Sequence, residues 1–155
     1  MITITLEHPV QENLALLHQR HTADMHADTP PESIHMLPAS ALAAPGIRFY
    51  VMREEGRAIG MGALKQLSGP HAEIKSMHVL LEVRGRGLAR VMLDHLISEA
   101  RALGLERLSL ETGAQASFLA ARRLYETAGF SYCHPFEGYH PDPMSAFMTI
   151  ELAPQ

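Results

Sequence analysis

The residues of this chain best suited to chemistry lie in one stretch, His71 to Ala89, HAEIKSMHVLLEVRGRGLA. An extended run from Ala72 to Leu80 passes a short polar turn and reaches Arg84-Gly85-Arg86-Gly87-Leu88-Ala89 just as an amphipathic helical pattern begins. Glycines at 85 and 87 remove the Cβ atoms that would hold a ligand off the backbone. Successive N–H groups at a helix start carry the positive end of the helix dipole, and Arg84 and Arg86 set two cations beside them. A strand, a glycine-rich turn and a helix start in this order suit an anion carrying more than one phosphate. A glycine pair alone is a weak signal, because any tight strand-to-helix connection needs glycine, so the surrounding elements have to carry the reading.

Those elements follow from periodicity. Ile2, Ile4 and Leu6 alternate with polar residues as a half-buried strand does, and Pro9 opens a helical stretch with Leu14, Leu17, His21 and Met25 along one face. The adjacent prolines at 30 and 31 make 28–37 a rigid loop, running into a short helix over 38–43. Strands at 47–53 and 58–67 flank the hairpin turn Glu54-Glu55-Gly56-Arg57, and Ser68-Gly69-Pro70-His71 turns the chain into the central strand. A helix over 87–103 presents Leu88, Met92, Leu96, Ala100 and Leu103 inward and stops at Gly104. The strand 107–111 is expected to pair parallel to the central strand through a right-handed crossover. A helix over 115–128, ended by Gly129, and strands at 130–133 and 145–152 joined by a proline-rich loop complete the chain.

Composition narrows the function. A chain of 155 residues fits one domain with a sizeable core. The N-terminal residues alternate rather than form a signal peptide, and no apolar run spans a bilayer, so a cytoplasmic protein without membrane partners is expected. One cysteine, Cys133, forbids an internal disulfide and reads as a small hydrophobe. The net charge of −4 argues against a nucleic-acid surface and makes the arginines of 84–90 a local anion site. Ten histidines invite a metal, but His18, His21 and His26 have helical rather than ligand spacing, and no metal is expected.

The pattern V-x-x-x-x-R-G-x-G-x-A, from Val79 through Arg84 to Ala89, resembles the acetyl-CoA signature of the GNAT superfamily of N-acetyltransferases. Ala121-x-x-x-Tyr125-x-x-x-Gly129-Phe130 is similar to the ending of that superfamily's next motif, and together the two cover about the C-terminal half of the chain. Glu73 to Met77, Leu108 to Gly113 and the 30–35 and 147–149 segments look like stretches shared by a subgroup of small bacterial acetyltransferases. The resemblance implies an α/β (α+β) fold with a mixed, largely antiparallel sheet of about seven strands and helices on both faces. It also implies acetyl-CoA as cosubstrate, a small-molecule amine as acceptor, and the homodimer that relatives often form.

Residue by residue, the resemblance places the pantetheine arm between strands 73–80 and 107–111, against backbone groups of Met77, His78 and Val79. The amides of Arg84, Gly85, Arg86, Gly87, Leu88 and Ala89 then hold the pyrophosphate, with Phe118 and Ala121 beside the cofactor. Phe118 stands where many relatives have an asparagine, so that polar contact is absent or made by Thr112 or Gln115. Tyr125 matches the tyrosine that protonates the departing thiolate; the plain alternative is a core aromatic. Glu73 lies near where some relatives carry a catalytic glutamate and is the first candidate for the base, with His78 or Glu111 as substitutes and a strand carboxylate paired with Lys75 as the plain alternative. The acceptor side is bordered by Glu73 and Lys75, by the 30–35 loop with His35, by Glu111 and by the 134–140 loop. This mixed lining suits a small zwitterion whose carboxylate Lys75 or a histidine would hold. Two readings compete with the enzyme: a non-catalytic acyl-CoA-binding sensor, and a Rossmann dinucleotide protein, which would need its glycines after the first strand of a parallel sheet.

Overall fold

A computed structural model of the chain describes residues 1–153. Seven strands form one sheet in the order β1-β2-β3-β4-β5-β7-β6: β1 (Ile2–Leu6), β2 (Ile47–Glu54), β3 (Arg57–Gln66), β4 (His71–Val79), β5 (Arg107–Gly113), β6 (Ser131–Tyr132) and β7 (Ser145–Glu151). Every neighbouring pair is antiparallel except β4 and β5, the pair joined by the crossover helix. The expected mixed sheet is therefore present, with the parallel pairing where the helical crossover required it.

Three α-helices cover the sheet: α1 (Ala15–Ala27), α2 (Leu88–Ala102) and α3 (Leu119–Ala128). Neighbouring residues of β2 show that α1 and α2 lie on opposite faces. Phe49 stacks on His18 of α1, at 5.8 Å between ring centroids, while Tyr50 meets His95 of α2 edge to face at 4.8 Å. Successive side chains of a strand point to opposite faces, so the two helices sandwich the sheet. The first helix starts later than Pro9 suggests, through a 3₁₀ turn at Glu12–Leu14, and the short helix near residue 40 is 3₁₀ over Ala39–Ala43. On α2 the buried stripe is Leu88, Met92, Leu93, Leu96, Ile97 and Ala100; Leu103, expected inward, is 46% exposed because the helix has ended at Ala102. No helix of the described residues is long and apolar enough to cross a membrane.

Two departures from regular pairing shape the middle of the sheet. β4 and β5 pair only over His71–Glu73 and Arg107–Ser109, although both continue for several residues beyond. Within β4 the register against β3 jumps between Met61↔His78 and Ala63↔Lys75, so that Ser76 and Met77 together oppose Gly62. Ser76 takes a left-handed φ of 56°, the conformation a bulge of this kind requires. The bulge bends β4 away from β5 and leaves a gap in the centre of a continuous sheet.

Candidate active site

The gap opens into a cavity of about 710 Å³, within the range that small-molecule sites occupy. One wall is the free edge of β4 with the start of α2; the other is β5 and α3. Nearly all the residues that the sequence nominates reach it. Met77, His78 and Val79 line it from β4, Arg84, Gly85, Gly87, Leu88 and Ala89 from the glycine-rich turn, and Phe118, Ala121 and Tyr125 from the segment leading into and along α3. Lys75, His35 and Glu111 line it as well. The two exceptions are Glu73 and Arg86.

The glycine-rich turn has the form that its sequence implies. Gly85 and Gly87 both have left-handed φ, 83° and 76°, and Gly87 is the cap of α2. A Cβ added at either would meet no protein atom within 4 Å; it would project into open space beside the helix start. No backbone acceptor among the described residues takes the N–H groups of Gly85, Arg86 or Gly87, and the first-turn N–H groups of α2 have none by the geometry of a helix. Arg84 is anchored rather than free: its Nε donates to the carbonyl of Val79 at 2.9 Å and its Nη2 to Asp24 Oδ2 at 3.1 Å. That leaves Met77 and His78, rather than the carbonyl of Val79, to offer backbone groups along the edge of β4. Arg86 turns away from the cavity, drawn into a two-pronged pair with Glu54 at 2.6 and 2.9 Å, so it contributes its amide and not its charge.

On the α3 side, Tyr125 is 6% exposed and its ring packs edge to face on Phe130 at 5.7 Å. Its hydroxyl has no hydrogen-bond partner among the described residues, and burial together with the nearby charge of Glu111 pushes its pKa up to about 12. Glu111, on β5, is itself held above the ordinary carboxylate range by burial. Phe118 is admitted by Gly113: a Cβ there would stand 2.3 Å from Phe118 Cδ2. Of the two substitutes for the absent asparagine, Thr112 lines the cavity, whereas Gln115 is committed to the carbonyl of Asp28 and the hydroxyl of Thr29, at 2.8 and 3.0 Å.

Glu73 occupies a position that its nomination as base did not anticipate. It is 2% exposed and outside the cavity wall, and its Oε2 accepts from Tyr139 Oη at 2.5 Å and pairs with Lys75 Nζ at 3.2 Å. Lys75 also donates to Tyr139 Oη at 2.7 Å and to the carbonyl of His35 at 2.9 Å. Tyr139 is thus the site residue that sequence reasoning missed. It lies in the proline-rich loop, 64 residues from Lys75, and no local pattern marks it. His78 is buried against His21 of α1 at 5.4 Å, its Nε2 without a partner, and burial lowers both imidazoles to about 4. Both rings are therefore uncharged at neutral pH. Cys133 is half-buried on the far side of β7, outside the cavity. No group of metal-ligating side chains occurs among the described residues.

A gap between two parallel strands, a turn of open amides beside it and a buried phenol on the opposite wall together describe a site for an activated acyl donor. The family described as Acetyltransferase (GNAT) family matches residues 14–130. The chain belongs to that family. It is 48% identical over 132 residues to the uncharacterized N-acetyltransferase YsnE of Bacillus subtilis, covering 85% of this chain and 87% of the relative. It is 40% identical over 156 residues to an IAA acetyltransferase of Azospirillum brasilense, covering 97% and 98%. A crystal structure from Klebsiella pneumoniae, described as that of a putative acyl-CoA N-acyltransferase, superposes with a TM-score of 0.77 at 26% identity, over 99% of both chains.

As a GNAT acetyltransferase the protein draws its acetyl group from acetyl-CoA. The residues fit that donor. Open amides at 85–87 and the start of α2 would meet the charge of a diphosphate, and the bulged edge of β4 would offer main-chain partners to an amide-bearing arm. Bound there, the donor supplies a thioester whose sulfur must be protonated as it leaves.

Proposed function

We propose that the protein moves acetyl from acetyl-CoA to the amine of a small molecule by direct attack in a ternary complex, with Tyr125 as general acid and Glu111 as general base. The observation that carries this reading is the pair formed by these two residues. Both line the one cavity, and the carboxyl is close enough in charge to raise the phenol. Tyr125 stays protonated at neutral pH and holds its proton ready, with no competing acceptor among the described residues. Desolvation raises a phenol, but it raises a thiol in the same surroundings too, which keeps the two within reach of transfer. Glu111, made more basic by burial, is suited to take a proton from an incoming ammonium or from the attacking amine.

Glu73, first in line from sequence, supports this reading less well, because its oxygen is already shared by Tyr139 and Lys75 and does not face the cavity. A sensor that binds acyl-CoA without turnover would gain nothing from an unpaired hydroxyl beside a raised carboxyl. The test is thiol release from acetyl-CoA across a panel of small amines. Release should follow acceptor concentration and collapse in Glu111→Gln. Tight acetyl-CoA binding with no amine-dependent release would turn the reading into that of a sensor.

A further inference from the structure

The charges on the acceptor side carry an inference about which amines enter, and it rests on the acetyl-transfer reading above. An ammonium has three hydrogens to donate. Those of Lys75 meet three acceptors: Tyr139 Oη at 2.7 Å, the carbonyl of His35 at 2.9 Å and Glu73 Oε2 at 3.2 Å. Its side chain is only 10% exposed, so solvent does not compete for them. Tyr139 stays neutral, since burial and the charge of Glu73 hold its pKa far above that of an ordinary phenol. One cation and one anion therefore cancel inside a closed hydrogen-bonded set.

The remaining cations of the cavity are also occupied. Arg84 is held by Asp24 and Arg90 by Asp94, and both stand beside the start of α2, where phosphate charge belongs. The free carboxyl on the acceptor wall is that of Glu111; beside it stand the imidazole of His35, packed edge to face on Tyr139 at 5.2 Å, and the apolar side chains of Met36, Met77, Leu110 and Leu124. A carboxylate entering this space would lose its water, find no lysine or arginine free to pair with it and face a like charge.

We propose that Lys75, neutralised from outside the cavity by Glu73 and Tyr139, presents a charge-neutral wall that sets acceptor specificity, admitting an amine on an uncharged, largely apolar body and rejecting one that bears a carboxylate. The zwitterionic acceptor expected from the residue types alone drew on Lys75 or a histidine as a free cation, and the pairing with Glu73 consumes Lys75. Glu73 and Tyr139 are positioning residues in this scheme: they act on the substrate through Lys75.

Matched acceptors test the proposal without changing shape: phenylalaninamide against phenylalanine, and glycinamide against glycine, with kcat/KM expressed per unprotonated amine. The wild-type protein should prefer the uncharged member of each pair by at least tenfold. Glu73→Gln keeps the shape and removes the anion, leaving Lys75 with charge to offer, so the preference should shrink at least tenfold, chiefly through a lower KM for the carboxylate-bearing member. Tyr139→Phe frees one hydrogen of Lys75 and should shrink it less, and it provides the second reading if the glutamine variant does not fold. Equal or better use of the carboxylate-bearing acceptors by wild type overturns the proposal, as does an unchanged ratio in both folded variants. Loss of all turnover in Glu73→Gln would return Glu73 to the role of base and overturn it too. Should no acceptor be acetylated while acetyl-CoA binds, the small-amine reading itself falls; activity with the wrong preference removes only the neutral wall.

Discussion

Replacing Tyr125 by phenylalanine separates catalysis from packing more cleanly than any other single change. The ring, its contact with Phe130 and the shape of the cavity wall are retained; the only atom removed is a hydroxyl with no partner among the described residues. That hydroxyl reaches solvent through the cavity rather than lying buried and unpaired, so its deletion should leave the stability of the unliganded protein within about 0.5 kcal/mol of wild type. For a chain of this length that is a change in Tm of no more than about 2 °C. Acetyl-CoA affinity should change by less than about threefold, because the groups that would hold the donor are backbone amides on the other wall. Turnover should fall by about 10² to 10⁴, the usual worth of a positioned general acid and equivalent to about 3–5 kcal/mol of barrier. With its pKa near 12, wild-type Tyr125 is protonated in all but about one molecule in 10⁵ at pH 7, so the loss should be flat across neutral pH. Initial rates of thiol release, a binding isotherm and a melting curve on the same preparations decide it. A rate loss below about threefold in a folded variant would refute the acid assignment and leave Tyr125 as a core aromatic.

Acetyl-CoA at about 100 times its dissociation constant should stabilise the wild-type protein by roughly 2.7 kcal/mol, and Gly87→Val should lose that increment. The variant will also be less stable without ligand, because valine is strained at a φ of 76°, so the liganded and unliganded melts must be compared within each protein. Glu111 should appear in the pH profile of kcat/KM as a limb rising through a pKa above the ordinary carboxylate range, absent from Glu111→Gln. Its raised pKa means that the folded state holds this proton more tightly than the unfolded one, so the glutamate's contribution to stability falls as pH rises through that pKa; the glutamine variant should lack this decline, as melts from pH 4 to 8 would show. His21 and His78 act with the opposite sign. Both are lowered from 6.5 to about 4, the unfolded chain binds the extra protons between those values, and stability should climb as pH rises from 4 to 6.5. Replacing His21 with glutamine should flatten that climb, and a slope identical to wild type would place the protons elsewhere.

The sequence disclosed the features whose causes are local. Left-handed glycines at 85 and 87 before an amphipathic helix leave the same trace in any chain that folds this way, and so do the alternation of β1 and the glycine stops at 104 and 129. The mixed sheet and its parallel pair followed from counting elements and from the length of the crossover. Partnerships across long separations left no such trace. Arg86 reads as an anion-binding cation until Glu54, 32 residues away, is seen to hold it. Glu73 reads as a free base until Tyr139 closes on it from a loop 66 residues further on. The bulge at Ser76 was equally silent, because a serine rather than a glycine adopts the left-handed conformation there.

That bulge makes the cavity depend on how many residues β4 contains more than on which ones they are. Between its partners Lys75 and His78, β4 spends two residues where β3 spends one, and this surplus is what parts it from β5. Replacing Ser76 by asparagine or glycine, which accept a left-handed φ, should be nearly silent. Deleting it would restore an even ladder with β3 and draw β4 toward β5, closing the gap in a sheet that by every other measure had become more regular. Substitutions confined to residues that accept a left-handed φ would score the position as tolerant, and single-residue deletions would expose it as the hinge on which the site's existence turns.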